Sequence, residues 1–176
     1  MTTSLQKSDQ TDGPIPCPQQ RRVRPFVRSD ISPCVRIIIH TLGVDSAMLA
    51  LEHFKERFSL PPEEQMPVDE RFVAESNGHV VGVCGVYRDV THPPMWCGIC
   101  WTAVEPNYQR QGIGSELLAH AEKVAAKEHH TLFVWADESD CAIGFYQKHG
   151  FKKSSATINP RESETLLVKQ LWPNND

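Results

Sequence analysis

The spacing of apolar and polar positions changes period several times along the chain, and each change marks an element. Arg22 to Arg28 reads as an edge strand, the one place in a sheet where Pro25 is tolerated, because an edge leaves one side of the backbone without a ladder. Ser29 or Asp30 can cap a helix through about Leu42 that Gly43 ends. Asp45 or Ser46 caps a second helix, with Met48, Leu49, Leu51, Phe54 and Phe58 as its predicted buried face and Leu60-Pro61-Pro62 as its stop. Arg71–Glu75 and His79–Tyr87 flank Ser76-Asn77-Gly78, a hairpin signal because Asn and Gly accept the positive φ of a tight turn. Cys97–Val104 is the next strand. Ile113, Leu117, Leu118, Ala121, Val124 and Ala125 then recur at helical spacing, predicting a helix to about Glu128. Leu132–Ala136 is a continuous apolar run, as expected of a strand parallel to the preceding one and covered on both faces. Asp140–His149 predicts a last helix ended by Gly150, and Phe151–Ser154 and Glu164–Trp172 supply the final strands. These elements predict an α/β (α+β) fold in which one mixed, twisted sheet of about seven strands has helices on both faces.

Between the strand at Cys97–Val104 and the following helix lies the sequence Glu-Pro-Asn-Tyr-Gln-Arg-Gln-Gly-Ile-Gly, residues 105–114. Pro106 cannot donate to a sheet ladder and closes the strand, while Gly112 and Gly114 fall in the first turn of the helix. The amides of that turn have no carbonyl partner within the helix and sit at the positive end of its dipole. With no side chain on either glycine, a bulky anion can approach them closely. A dinucleotide-binding fingerprint would need a third glycine where Leu117 stands. A P-loop would need Gly-Lys-Ser/Thr, which is absent.

Gln109-Arg110-Gln111-Gly112-Ile113-Gly114 resembles the Gln/Arg-x-x-Gly-x-Gly/Ala signature of the GCN5-related N-acetyltransferases (GNAT). Ala142-Ile143-Gly144-Phe145-Tyr146-Gln147-Lys148-His149-Gly150-Phe151 is similar to a second segment of that family. The resemblance in element order spans about Arg22 to Trp172. It implies that acetyl-CoA is the acyl donor and that its pyrophosphate rests on Gln109, Arg110, Gln111, Gly112, Ile113, Gly114 and Ser115. It further implies that strands four and five splay apart, and that the pantetheine arm enters the gap as a false strand against Thr102, Ala103 and Val104. An unpaired strand edge offers amides and carbonyls to an extended, amide-containing ligand, so such binding would be β-augmentation.

Tyr146 occupies the motif position whose phenol, by resemblance, assists departure of the CoA sulfur when an amine attacks the thioester. Many members carry an asparagine seven residues earlier that bonds the pantetheine arm; here that residue is Ser139, with Asp140 next to it. Protein N-terminal acetyltransferases of the ribosomal alanine type have a glutamate twelve residues before the tyrosine. Here it is Val134, so Asp137 and Glu138 at the exit of strand five are the nearest carboxylates to serve as base, with His92 a further candidate. Cys97-x-x-Cys100 invites a metal reading, but residues three apart on a strand point to opposite faces and no second cysteine pair completes a site, so no metal is expected. Cys141, in the first turn of a helix, could act as an acyl relay, and Met95, Trp96 and Trp101 could line the acceptor pocket.

Composition narrows the remaining choices. A chain of 176 residues with 40% hydrophobic and 23% charged positions suits one soluble domain, and a formal charge of −4 without a basic stripe argues against nucleic acid as a partner. Residues 1–21 are polar and broken by Gly13, Pro14, Pro16 and Pro18, the composition of a disordered tail, which leaves 22–176 as the catalytic domain. No run is apolar enough for a membrane span or a signal peptide, and the six cysteines have no framework spacing, so a cytoplasmic protein with free thiols is expected. The expected acceptor is a primary amine on a small molecule or peptide, and a homodimer is allowed. The alternative is a catalytically silent module of the same fold that binds CoA as a sensor.

Overall fold

The computed structural model describes residues 20–61, 64, 69–137, 141–154 and 164–171. Among them the chain forms, in order, β1 (Arg21–Pro25), α1 (Ile31–Leu42), α2 (Val44–Ser59), β2 (Asp69–Ser76), β3 (His79–Tyr87), β4 (Trp96–Val104), α3 (Ile113–Ala125), β5 (Thr131–Asp137), α4 (Ala142–Lys148), β6 (Lys152–Lys153) and β7 (Glu164–Gln170). The seven strands share one sheet in the order β1-β2-β3-β4-β5-β7-β6. Only β4 and β5 run parallel, joined by the α3 crossover. The mixed α/β architecture expected from the sequence is present.

Two apolar cores lie on opposite faces of this sheet. Neighbouring strand residues divide between them, since alternate side chains point to opposite faces. Phe72 packs with Ile113, Leu117, Leu118 and Tyr146 under α3 and α4, while Val73 packs with Ile37, Ile38, Ala50 and Phe54 under α1 and α2. Phe54 and Phe26 pack as a tilted pair with ring centroids 4.8 Å apart. The start of the α1 layer is fixed by Asp30, which is 3% exposed. Its carboxylate accepts from Arg24 at 2.7 and 2.9 Å and from the Val27 amide at 2.9 Å. Asp30 therefore ties β1 to the turn before α1 rather than capping the helix with its side chain, and β1 stops at Pro25, short of Arg28.

The second helix corrects the sequence reading. Its buried residues are Ala47, Ala50 and Phe54, with Leu51 and Phe58 half-buried, whereas Met48 is 62% and Leu49 39% exposed. The face toward the sheet follows the i, i+3, i+4, i+7 rule through two alanines, which let α2 approach closely. Met48 and Leu49 lie one residue round from it. Gly43, at φ 87°, stands at the N-cap, and α2 begins at Val44 without a side-chain cap from Asp45 or Ser46.

The pairing of β4 decides where ligand can enter. On one side β4 pairs antiparallel with β3, but the register shifts between Val83 and Gly85, and Trp101 takes φ 54° at this bulge. On the other side only Trp96, Cys97 and Gly98 pair with β5, opposite Thr131, Leu132 and Phe133. Beyond that point β5 stays with β7 along its whole length. Bulges bend the strand that carries them, so β4 turns away while β5 is held, and the ladder opens from Ile99 onward.

Gly98 sits at the apex of this opening. A Cβ there would lie 2.3 Å from the Tyr87 ring and 2.8 Å from the Phe133 ring, which belong to its two lateral partners. The rings meet over the glycine at 5.8 Å in an edge-on pair. Gly98→Ala should therefore destabilise the fold by about 1–3 kcal/mol through overpacking. A lowered midpoint in urea unfolding is the expected result, and an unchanged midpoint would show that the two rings are free to yield.

Candidate active site

The turn after β4 is built to leave amides exposed. Pro106–Tyr108 form one 3-10 turn, Gln109 is extended, and Arg110 and Gly112 both adopt positive φ, 62° and 86°. Gly112 is the N-cap of α3, and the first helical bond runs from the Glu116 amide to the Gly112 carbonyl at 3.0 Å. The amides of Ile113, Gly114 and Ser115 precede that bond and are the unspent donors of the helix start. The turn is held from three directions. Gln109 Nε2 donates to the Val104 carbonyl at 3.0 Å, Gln111 Nε2 to the Asn107 carbonyl at 3.2 Å, and the Arg21 guanidinium reaches from β1 to the Gln111 carbonyl at 2.8 Å. At Gly114 a Cβ would meet only Phe145 and Val104, at 3.4 Å or more, so the position tolerates a side chain sterically.

Thr102, Ala103 and Val104 lie on the part of β4 that has left β5. Thr102, with Ile99, Cys100 and Trp101 of the same strand, lines a cavity of about 690 Å³, whereas Ala103, Val104 and the turn lie outside its lining. Tyr146 reaches this cavity from α4 although its residue is only 5% exposed. Burial pushes its phenol well above the ordinary range, aided by the neighbouring Cys84, while a hydrogen bond with the Thr102 side chain pulls the other way. Thr102 Oγ1 is in turn 3.3 Å from Cys84 Sγ. A phenol so placed keeps its proton at neutral pH, which is the state a general acid needs.

Asp137 ends β5 opposite Glu164 of β7, and both line the cavity. Val134 lines it too. Glu138 and Ser139 lie outside the described residues. Trp101 lines the cavity, but Met95 and Trp96 do not. Trp96 instead belongs to an aromatic group with Phe133 and His92, in which the imidazole stacks on Phe133 at 4.1 Å. His92 is 8% exposed and its Nδ1 lies 3.2 Å from Asp89. Burial works against the charge of Asp89, but hydrogen bonds from Thr91 and attraction to His92 prevail and hold its carboxyl below the usual range.

Sequence reasoning missed Arg71 and Asp89, which also line the cavity. Arg71 is 5% exposed, pairs with Asp69 at 2.6 Å and lies over the Phe54 ring at 5.5 Å. Its signal was a charged residue one position before the apolar run Phe72-Val73-Ala74; that of Asp89 was its i, i+3 spacing to His92. Among the described residues no group of three His, Cys, Asp or Glu side chains is gathered as a metal would require, and no helix is long and apolar enough to cross a membrane.

Residues 68–153 match the model of the acetyltransferase (GNAT) domain. This stretch contains the glycine turn, the opened strand and the Tyr146 helix. Over these residues the chain matches the GNAT acetyltransferase family. The strands and helices outside it complete the same fold, as the solved structures show. The chain resembles the PaiA N-acetyltransferase of Thermoplasma acidophilum, solved with coenzyme A, at 14% identity and TM-score 0.67, covering 86% of this chain and 99% of that one. It resembles the ribosomal-protein-S18-alanine N-acetyltransferase of Escherichia coli at 19% identity and TM-score 0.62, covering 86% and 94%. An acetyltransferase of the GNAT family from Streptococcus pneumoniae matches at 18% identity and TM-score 0.64, covering 87% and 100%. A sequence search of curated proteins returned no match.

The thiols of the chain differ sharply in setting. Cys34, Cys84, Cys97 and Cys100 are all pushed up by burial, Cys84 and Cys97 to about 12, whereas Cys141 is exposed at the start of α4. The thiolate is the reactive form. Iodoacetamide at about pH 8, near the reference thiol pKa, should therefore alkylate Cys141 well before these four, as read by peptide mass spectrometry. Equal labelling of Cys84 or Cys100 would show that the β3–β4 core opens readily.

Proposed function

We propose that this protein transfers the acetyl group of acetyl-CoA to a primary amine, on a small molecule or a peptide, by direct attack. The observation that carries this reading is the opening of β4 from β5 beside a buried, protonated phenol at Tyr146. The pyrophosphate would rest on the turn from Gln109 to Ser115, where unspent amides and two positive-φ residues face outward. The pantetheine arm would bond the free edge at Thr102, Ala103 and Val104 as an added strand. The acceptor nitrogen would then attack the thioester carbonyl carbon, the C–S bond would break, and Tyr146 would donate its proton or a hydrogen bond to the leaving sulfur.

The acceptor side of the cavity supports a cationic substrate. Glu56, Glu64, Asp69, Asp89, Asp137 and Glu164 line it, against Arg57, Arg71 and Arg88, and both Arg57 and Arg71 pair with Asp69. An ammonium group would be drawn in by this excess of carboxylates and must lose a proton before attack. Asp137 is the base this reading assigns; Glu138, next in sequence, is the second candidate.

Tyr146→Phe keeps the ring packing against Phe145 and Phe151, at 5.2 and 5.3 Å, and removes only the hydroxyl. With the best amine found in a screen, kcat measured from released CoA should fall about 10- to 1,000-fold while affinity for acetyl-CoA barely changes. An unchanged kcat would show that the sulfur leaves without the phenol. No turnover by wild type with any amine, despite binding of acetyl-CoA, would favour a CoA-binding module. Gly114→Asp should abolish the rise in melting temperature that acetyl-CoA gives the wild type, because a carboxylate would stand against the pyrophosphate. A folded variant with an undiminished rise would remove the turn from the cofactor site.

A further inference from the structure

At the far end of α4, His149 makes two hydrogen bonds, and their partners fix its protons. Nδ1 lies 2.8 Å from the Phe145 carbonyl, and Nε2 lies 3.0 Å from Ser115 Oγ. A carbonyl only accepts, so Nδ1 carries the hydrogen. In the neutral ring Nε2 is then an acceptor, and the Ser115 hydroxyl must spend its own hydrogen on it. Ser115 stands in the first turn of α3 and, in this state, turns only lone pairs toward an incoming anion.

Protonation reverses the arrangement. The added proton sits on Nε2, which donates to Ser115 Oγ, and the serine hydrogen is released to point at whatever occupies the helix start. Neither bond of the ring goes to a carboxylate, so the imidazolium charge is left for an anion at the turn. The charged groups on the surrounding elements are Lys148 on α4 itself, Glu116 in the first turn of α3, Arg110 in the turn before it, Lys152 and Lys153 on β6, and the Glu122–Lys169 pair at 2.6 Å between α3 and β7. Glu116, the carboxylate next to Ser115, is 3.8 Å from Arg21.

We infer that His149 is a positioning residue for the cofactor diphosphate, acting through Ser115, and that binding of the diphosphate draws a proton onto His149. The inference rests on the reading that acetyl-CoA binds at this turn. By linkage, affinity for the diphosphate then rises as pH falls.

The test uses the full chain and dephospho-CoA, whose diphosphate keeps its charge near neutral pH and which lacks the titrating 3′-phosphate. Calorimetry at about pH 7 in buffers of different ionisation heat should show proton uptake with dephospho-CoA and none with pantetheine, which has no diphosphate. Affinity for dephospho-CoA should strengthen by up to about tenfold per pH unit lowered. His149→Gln, checked for folding by circular dichroism, should lose both the uptake and the pH dependence, and Ser115→Ala should reduce them. Binding of dephospho-CoA to wild type without proton uptake would overturn the inference even if no variant folds. So would equal uptake in His149→Gln. Failure of dephospho-CoA and acetyl-CoA to bind at any pH would overturn the cofactor reading itself, and the inference with it.

Discussion

The parting of β4 from β5 is the constraint on which the rest of this structure depends. Two parallel strands joined by a helix would ordinarily pair along their length, and here β5 is apolar and buried enough to do so. Pairing ends after Gly98 because β4 carries a bulge with Trp101 in a left-handed conformation, a region bulky side chains rarely occupy. Strained backbone persists only where its surroundings enforce it, and it clusters at functional sites. Here Gly98 under two aromatic rings and the unbroken β5–β7 ladder supply that enforcement.

Everything chemical in the site follows from what the gap brings together. The open edge of β4 leads at one end to the turn before α3, which Arg21, Gln109 and Gln111 hold in place. At the other it meets the acidic lining from α2, β5 and β7. Tyr146 reaches the same space from the opposite core, so a phenol buried among apolar groups faces a cavity. The same burial pushes up the phenol of Tyr146 and the thiols of Cys84 and Cys100, so all three hold their protons at neutral pH.

Much of this was legible in the sequence because it depends on local rules. The hairpin at Asn77-Gly78, the β3 boundaries, the glycine turn and the Tyr146 segment are each set by residues within a few positions of one another. The GNAT resemblance joined the last two into one site. What the sequence did not disclose depends on contacts between distant elements. The inner face of α2 was misread because large apolar residues outrank alanines in a periodicity count, although Ala47 and Ala50 are what fit against the sheet. Asp30 looked like a helix cap, but Arg24 claims it across the β1 turn. Arg71, Asp89 and the His149–Ser115 bond belong to the same class. Each depends on a side chain meeting a partner that spacing alone does not specify.

The central claim is that one continuous surface, the free edge of β4 and the turn before α3, holds acetyl-CoA. Amide hydrogen exchange with and without acetyl-CoA tests it most directly, since edge amides and helix-start amides exchange freely until a ligand accepts from them. The account predicts slowed exchange in Ile99–Val104 and Arg110–Ser115, with little change in β1 and β2. Protection confined to other segments, with these two unaltered while acetyl-CoA is bound, would contradict it.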